Sequence, residues 1–256
     1  MPTEERESVL SEPASNGVCL VIGAGDGLGG AIARAFARTG LTVCVTRRAR
    51  HLDQLEALCA EIRATGGAAH AFGVDARSEE ETVALFDRIE REIGPIAVTV
   101  FNIGANVRFG IRETTSRVFT KVWEMACFAG FLAGREAARV MAPRGAGTIL
   151  FTGATGSLRG GAGFAAFAAA KHGLRAIAQS MARELGPEGL HVAHVVCDGA
   201  IDGTFLRSRV EDVAPLLAED SVLKPEDAAE AFVWLHQQPR SSWTHELDLR
   251  PWQERF

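Results

Sequence analysis

Three glycines stand in a turn whose backbone suits phosphate binding. Gly23, Gly27 and Gly29 follow the apolar run VCLVI and open a helical pattern, AIARAFAR. Gly23 permits a tight turn, Gly27 lets the backbone approach a diphosphate, and Gly29 lets a helix pack closely on a strand. The N–H groups at the helix start, near Leu28, attract anions with the positive end of the helix dipole. The spacing GxxxGxG between a buried strand and a helix therefore predicts a dinucleotide site.

The elements around this turn alternate between short β-branched runs and amphipathic helical stretches. The sequence predicts strands at 18–23, 41–46, 68–74, 96–102, 147–153, 190–196 and 244–249. Helical patterns such as LDQLEALCAEIRAT and EEETVALFDRIEREIG lie between them. This alternation predicts an α/β fold, a single-domain Rossmann-type doubly wound parallel sheet of about seven strands with helices on both faces. Ligands of such folds bind beyond the carboxyl ends of the strands.

The chain of 256 residues is long enough for one sizeable core. Its polar, acidic beginning predicts a flexible N-terminal tail at 1–16. We expect residues 17–256 to form one domain that binds both dinucleotide and substrate, with a small lid at 199–222, where the periodicity weakens.

Composition and charge limit the classes of molecule that this chain is expected to bind. The net charge is −5 and there is no block of Lys or Arg, which disfavours nucleic acid and anionic membranes as partners. No apolar run approaches the roughly 18 residues of a membrane span, and the N-terminus lacks a signal-peptide pattern. The five cysteines lack CxxC spacing, which predicts buried free thiols in a reducing cytoplasm and no metal site. We therefore expect a cytoplasmic protein that acts on a small molecule.

From residue 17 to 250 the chain resembles the short-chain dehydrogenase/reductase family. The GxxxGxG turn matches the dinucleotide motif of that family. Val74-Asp75-Ala76 is similar to the segment whose Asp contacts the adenine. Asn102-Ile103-Gly104 is similar to the NNAG turn of the family, with Phe101 in place of the first Asn.

Further matches follow near the end of the chain. Asp198-Gly199-Ala200-Ile201 stands where the family usually has Pro-Gly and a backbone contact to the nicotinamide amide. Thr204 follows one residue later than the usual Thr of the family. The resemblance implies that these residues bind the cofactor: Gly23, Asp26, Gly27, Leu28, Gly29, Arg47, Arg48, Asp75, Ala76, Asn102, Gly104, Lys171, Gly199 and Ile201.

Charge after the second strand favours NADP(H) over NAD(H). Arg47 and Arg48 stand where NAD-specific relatives have an acid that accepts from the ribose 2′-OH. An acid would repel a 2′-phosphate, whereas a guanidinium binds it as a fork. The alternative is that both arginines are solvated loop charges, and Asp26 stands where many NADP-dependent relatives have a basic residue.

At most of the catalytic positions of the family, this chain has a residue that cannot donate or accept a proton. The family has YxxxK on a helix, where the Tyr is the general acid/base and the Lys lowers its pKa and holds the nicotinamide ribose. The matching stretch FAAAK places Phe167 at the Tyr and Lys171 at the Lys. The family's Ser falls on Ala154 and its Asn falls at about Ala126. Because the chain contains no tyrosine, the resemblance implies an atypical member that lacks an acid worth roughly 10²–10⁴-fold in rate.

Three residues are candidates for replacing the lost groups. Thr155 and Ser157 lie next to the position of the lost Ser, although hydroxyls in such loops commonly bind backbone. Lys171 can donate a proton directly if burial lowers its pKa, or can serve only to hold the ribose. Further polar groups, more typical of packing and turns than of catalysis, are His172, Asp198 and Asp202.

Three functions remain open at this point. The first is an NADP(H)-dependent oxidoreductase acting on a small carbonyl or activated alkene. The alternatives are a non-redox lyase or isomerase of a biosynthetic pathway, and a catalytically inactive dinucleotide-binding regulatory protein. The fold cannot choose among them, because function depends on the site.

The resemblance also implies a subunit arrangement and a substrate pocket. Small residues in CFAGFLAG and GFAAFAAAKHG allow close helix approach, and the family often forms homo-oligomers, so we expect a dimer or tetramer. The last residues suit an edge strand and a tail that reaches a neighbouring subunit. By the layout of the family, the pocket residues are Arg108, Phe109, Arg159, Phe164 and Phe205.

Overall fold

Seven parallel strands form the centre of a computed structural model that describes residues 17–254. The tail predicted at 1–16 lies outside these residues. The strands are β1 (Val18–Ile22), β2 (Thr42–Arg47), β3 (Ala69–Gly73), β4 (Ile96–Phe101), β5 (Gly147–Ala154), β6 (Leu190–Cys197) and β7 (Glu246–Leu249). Their order across the sheet is β3-β2-β1-β4-β5-β6-β7. The order reverses between β1 and β4, which is where a doubly wound sheet opens its ligand crevice.

Helices connect successive strands. They are α1 (Leu28–Arg38), α2 (Leu52–Ala64), α3 (Glu79–Glu92), α4 (Ser116–Trp123), α5 (Ala129–Met141), α6 (Ala165–Leu185), α7 (Thr204–Arg207), α8 (Ala214–Ala218) and α9 (Pro225–His236). A π-helical turn at Glu124–Phe128 joins α4 to α5. Local side chains fix some starts: the Ser78 hydroxyl accepts from the Glu81 N–H at 3.2 Å, and the first turn of α3 is acidic, which suits the helix dipole.

Two apolar cores cover the two faces of the sheet. Side chains of α1, α2 and α9 pack on one face, with Phe36 and Phe232 fully buried there. Side chains of α3, α5 and α6 pack on the other face, around Phe86 and Phe151. Every residue of β1 and of β6 is buried. Strands buried on both faces require nearly continuous apolar runs, which is why the sequence pattern located them.

The single-domain parallel fold predicted from the sequence is confirmed, and each predicted strand is present with ends that differ by one or two residues. The largest difference is at the last strand, which begins at Glu246 and not at 244. The Thr244 N–H bonds to the Gln238 side chain at 2.8 Å, and Trp243 stacks on His191, so these residues are held outside the ladder.

The segment after β6 covers the carboxyl edge of the sheet. Residues 199–222, predicted as a lid, contain the short helices α7 and α8. In the C-terminal segment, the Trp252 indole N–H donates to the Glu219 carbonyl of the same chain at 2.9 Å; contact of the tail with a neighbouring subunit stays a prediction. Residues up to Glu254 therefore fold back over their own lid. Among the helices of residues 17–254, none is both long and apolar enough to span a bilayer.

Candidate functional site

The glycine turn brings α1 close against the ends of β1 and β4. Gly23 has φ +95°, which favours glycine, and its N–H donates to the Thr46 carbonyl at 2.9 Å. A Cβ on Gly29 would lie 2.3 Å from the Gly23 oxygen and 2.8 Å from the Asn102 amide nitrogen. That amide donates to the Gly23 oxygen at 3.1 Å. The first turn of α1, from Leu28, is thereby fixed at the edge of the crevice, where it can bind an anion.

A cationic cleft lies beside this turn, at the ends of β2 and β3. Its cavity volume is about 240 Å³, and its lining includes Arg47, Arg48, His51 and Arg77. Burial, followed by the charges of Arg47, Arg50 and Arg48, lowers the pKa of His51. Arg47 donates to the Gln54 side chain at 2.8 Å. Several guanidinium groups around one cleft make it suitable for a phosphate.

Asp75 and Ala76 also line the cationic cleft. Arg77 binds the Asp75 carboxylate with two N–H groups, at 2.9 and 2.5 Å. The hydrogen bond from Arg77 lowers the pKa of Asp75 although burial opposes it. The sequence analysis did not identify Arg77 as a site residue. The pattern that could have indicated this ion pair is an Arg two residues after Asp75.

A second and larger cavity opens on the other side of the glycine turn. Its volume is about 830 Å³. Asn102, Ile103 and Gly104, after β4, line both this cavity and the cationic cleft, so the two adjoin there. The larger cavity is also lined by residues predicted from the sequence: Asp26, Gly27, Leu28, Lys171, Gly199 and Ile201.

Lys171 is a buried residue in the wall of this larger cavity. Its side chain is 2% exposed, and the amine donates to the Ile103 carbonyl at 3.0 Å and to the Thr152 carbonyl at 2.8 Å. Burial lowers the pKa of Lys171 to about 8, while the neighbouring Cys197 and Cys127 thiols oppose the shift. Because an ammonium has three N–H donors, one remains for a ligand.

The three positions matched to the family's Tyr, Ser and Asn come together near Lys171. Phe167, one turn earlier on α6, is buried and packs with the fully buried Ala126 of the π turn. Ala154, at the end of β5, packs against the same cluster. A Cβ on Gly156 would lie 2.9 Å from the Phe167 ring, so the ring fills its space closely. The apolar surface of this cluster faces the cavity through Phe167 and Ala154.

Thr155 lines the cavity beside Ala154 and belongs to a polar cluster. Its hydroxyl donates to Asp198 at 2.6 Å. Arg159, which also lines the cavity, donates to both Asp198 oxygens at 3.0 and 3.2 Å. Asp198 was interpreted from the sequence as turn chemistry, but it is fully buried and joins the loops after β5 and β6.

The Ser157 hydroxyl and the His172 imidazole, two further candidates, are hydrogen-bonded to backbone groups. Ser157 is fully buried and its hydroxyl accepts from the Ala154 N–H at 3.2 Å, so it shapes the loop after β5. His172 is exposed on α6, and its Nδ1 lies 2.9 Å from the Ala168 carbonyl of the preceding turn.

The lid and the C-terminal segment complete the cavity. The Thr204 hydroxyl donates to the Asp26 carboxylate, and this bond lowers the pKa of Asp26 although burial opposes it. Asp202, expected as a possible acid, accepts hydrogen bonds from Nε and Nη2 of Arg207, each at 2.8 Å. Glu254, which the sequence did not indicate, lines the cavity with a carboxylate 4.0 Å from Arg159.

The pocket residues expected by resemblance divide into two sets. Arg159, Phe164 and Phe205 line the larger cavity. Arg108 lies over the Phe164 ring at 5.8 Å, and Phe109 is 44% exposed. Arg108 and Phe109 therefore lie on the outer side of the residues that line the cavity.

Known proteins share this arrangement. The sequence profile of a family described as short chain dehydrogenase matches residues 17–214. A curated 2-(S)-hydroxypropyl-CoM dehydrogenase of Xanthobacter autotrophicus is 29% identical over 238 residues, which cover 88% of this chain and 91% of that protein. A solved short-chain dehydrogenase from Rhodopseudomonas palustris is 49% identical with a TM-score of 0.79, covering 93% of this chain and 99% of that one. A solved actinorhodin polyketide ketoreductase with NADPH is 26% identical with a TM-score of 0.82, covering 92% and 96%.

The buried amine gives a stability prediction. Because the pKa of Lys171 falls from 10.5 to about 8 on folding, the unfolded chain binds more protons between these values, and stability from this group rises with pH there. Lys171→Met removes the ammonium, so its free energy of unfolding relative to wild type should be higher at pH 7 than at pH 10. We expect this difference to change by roughly 2 kcal/mol, measured by urea unfolding. The exposed Lys121→Met is the control, and an equal difference at both pH values would contradict the assignment.

Proposed function

Because the chain belongs to the short-chain dehydrogenase family, we propose that it is an NADP(H)-dependent oxidoreductase acting on a small carbonyl or activated alkene. One observation carries the proposal. The cationic cleft and the larger cavity adjoin at Asn102, Ile103 and Gly104, and we infer that one extended dinucleotide spans both, from Arg47 to Lys171. The likeness to a ketoreductase solved with NADPH supports this cofactor class.

The residues present fit such a cofactor. The N–H groups at the start of α1, at Leu28, and the backbone of Gly27 suit the diphosphate. Gly29 packs too closely to admit a side chain, and this holds the start of the helix at the edge of the crevice. Asp75 and Ala76 would contact the adenine, Lys171 the nicotinamide ribose, and the backbone at 199–201 the nicotinamide amide. When bound, the nicotinamide supplies or accepts a hydride.

We assign the preference for NADP(H) to the cationic cleft. Arg47 and Arg48 line it at the end of β2. Burial, and after it repulsion from the charges of Arg50, Arg77 and Arg47, lowers the pKa of Arg48, and the charge of Asp75 opposes the shift. A 2′-phosphate would relieve this repulsion, whereas a ribose hydroxyl would not.

The protein is, in this proposal, an atypical family member. Phe167, Ala154 and Ala126 replace the proton carrier and its two polar partners, and the chain has no tyrosine to supply a phenol. Lys171 holds the ribose and keeps one N–H for the ligand, while Thr155 is the hydroxyl placed beside the substrate oxygen. Substrates whose reacting carbon is already activated need the least help from an acid.

We further propose that the chain forms a homo-oligomer, a dimer or tetramer, through an aromatic patch on α4 and α5. The patch consists of Phe119, Trp123, Phe128 and Phe131. Trp123 stacks on Phe128 with ring centroids 5.8 Å apart, and Phe128 stacks on Phe131 at 6.2 Å. Grouped rings that remain about 40% exposed, as Trp123 and Phe131 do, mark an interaction surface on a folded protein.

The function is tested by following a label from the cofactor. NADPH deuterated at C4 should transfer deuterium to a product from a panel of small ketones, aldehydes and enones, detected by mass spectrometry. Lys171→Met should lower turnover, and the exposed Lys121→Met should not. Turnover without label in any product would favour the lyase or isomerase alternative, and tight NADPH binding without turnover would favour the regulatory one.

The cofactor assignment is tested at Arg47. Arg47→Ala should weaken NADPH binding by roughly 10- to 100-fold, as expected for the loss of a charged hydrogen bond. NADH binding should change far less, because NADH lacks the 2′-phosphate. The readout is the dissociation constant of each dinucleotide from fluorescence titration. Arg91→Ala, a change at an exposed arginine of α3 that lines neither cavity, is the control, and equal losses for both dinucleotides would refute the 2′-phosphate assignment.

The oligomer assignment is tested by placing charge on the aromatic patch. Trp123→Glu and Phe131→Glu should lower the molar mass measured by light scattering, because a buried carboxylate opposes association. Trp234→Glu, at a Trp of α9 that is 51% exposed, should leave the mass unchanged. A monomeric wild-type protein would contradict the proposal.

A further inference from the structure

The polar cluster of Thr155, Asp198 and Arg159 fixes the direction of one hydrogen bond at the cavity. The Thr155 oxygen lies 2.6 Å from one Asp198 oxygen. Arg159 donates to both oxygens of the same carboxylate, at 3.0 and 3.2 Å. Asp198 is fully buried, whereas Thr155 and Arg159 line the cavity. Thr155 therefore stands between the buried carboxylate and any substrate.

The Asp198 carboxyl is held in its ionised form. Burial alone would raise its pKa, but the hydrogen bonds from Thr155 and Arg159 and the charges of Arg159 and Arg250 lower it overall. A further charged group beside this cluster is Glu254, 4.0 Å from Arg159, and the neighbouring Cys197 thiol has its pKa raised to about 12 by burial. An ionised carboxylate only accepts hydrogen bonds, so the single proton of the Thr155 hydroxyl is directed at Asp198.

The consequence is that Thr155 presents lone pairs, and not a proton, to the cavity. A carbonyl oxygen placed there would face another acceptor and lose a hydrogen bond that it makes in water. An alcohol placed there would donate its O–H to the Thr155 oxygen. Leaving a buried acceptor unpaired has a free-energy cost, whereas the donor and acceptor pair does not incur it.

We propose that Thr155, oriented by Asp198 and Arg159, makes the resting site select the hydroxyl of an alcohol over the corresponding carbonyl. This inference rests on the proposed function and narrows it to the alcohol/carbonyl pair, because the product of alkene reduction need not have a hydroxyl at this point. It also reverses the polarity that the family resemblance implies, in which a Ser hydroxyl donates to the substrate oxygen. Asp198 is a positioning residue here, and Thr155 is the residue that contacts the substrate.

The test is a binding comparison between matched alcohols and ketones. The probes are cyclohexanol against cyclohexanone and 1-phenylethanol against acetophenone, titrated into the full chain by ligand-observed NMR, with and without NADP⁺. Wild-type protein should bind each alcohol roughly three- to tenfold more tightly than its ketone, as one hydrogen bond provides. Thr155→Val, which keeps the shape and removes the acceptor, should bring this ratio to about one, and Thr155→Ser should retain it.

The positioning role is tested by Asp198→Ala, which frees the Thr155 proton. We expect the alcohol-to-ketone ratio to fall to about one, because the hydroxyl can then donate or accept. A merely structural role would weaken both members alike and leave the ratio intact. If this variant does not fold, the Thr155 variants decide the question.

Several outcomes overturn the inference. They are ketone binding equal to or tighter than alcohol binding in wild type, no binding of either member, a ratio that survives Thr155→Val, or a ratio that survives Asp198→Ala in a folded protein. The ratio is measured separately from NADP(H) affinity. Failure to bind the dinucleotide therefore refutes the proposed function, while the measurement without NADP⁺ still judges the alcohol preference.

Discussion

The buried amine of Lys171 is the constraint on which the rest of the site depends. A buried ammonium without partners is strongly unfavourable, so the fold must supply acceptors. It does so with the carbonyl of Thr152 in β5 and that of Ile103 after β4. These contacts tie α6 to the ends of β4 and β5, beside the position between β1 and β4 where the sheet order reverses. Both cavities meet beside Ile103, so one polar interaction defines their junction.

The fold was largely predictable because its signals are local. Strands such as β1 and β6 are buried on both faces, and only unbroken apolar runs satisfy that requirement. The glycine turn was predictable because the close approach of Gly29 to Asn102 excludes a side chain. The beginning of β7 was less predictable, because Thr244 is held out of the ladder by the side chain of Gln238.

The site was predictable only in part, because its charged contacts join residues far apart in the chain. The family resemblance pointed to Lys171, and the charge of Arg47 and Arg48 after the second strand pointed to a cationic site. Arg159 and Asp198 are 39 residues apart in the chain, and Thr204 and Asp26 are 178 residues apart. No local sequence pattern can therefore predict either contact. Burial of Asp198 could not be seen from its neighbours, since Asp beside Gly is common in turns. The polar cluster of Thr155, Arg159 and Asp198 is instead assembled from the loops after β5 and β6.

The bond between Thr204 and Asp26 has a consequence for the sequence of ligand binding. It crosses the first turn of α1, and Gly203 of the lid lies beside Gly27 of the glycine turn. If the proposed cofactor binds, its diphosphate at the start of α1 would lie beside this bond, and the same lid contributes Phe205 to the wall of the larger cavity. Both proposed ligands would then contact the same segment of chain. Occupancy of one site would in that case change the affinity of the other through the lid.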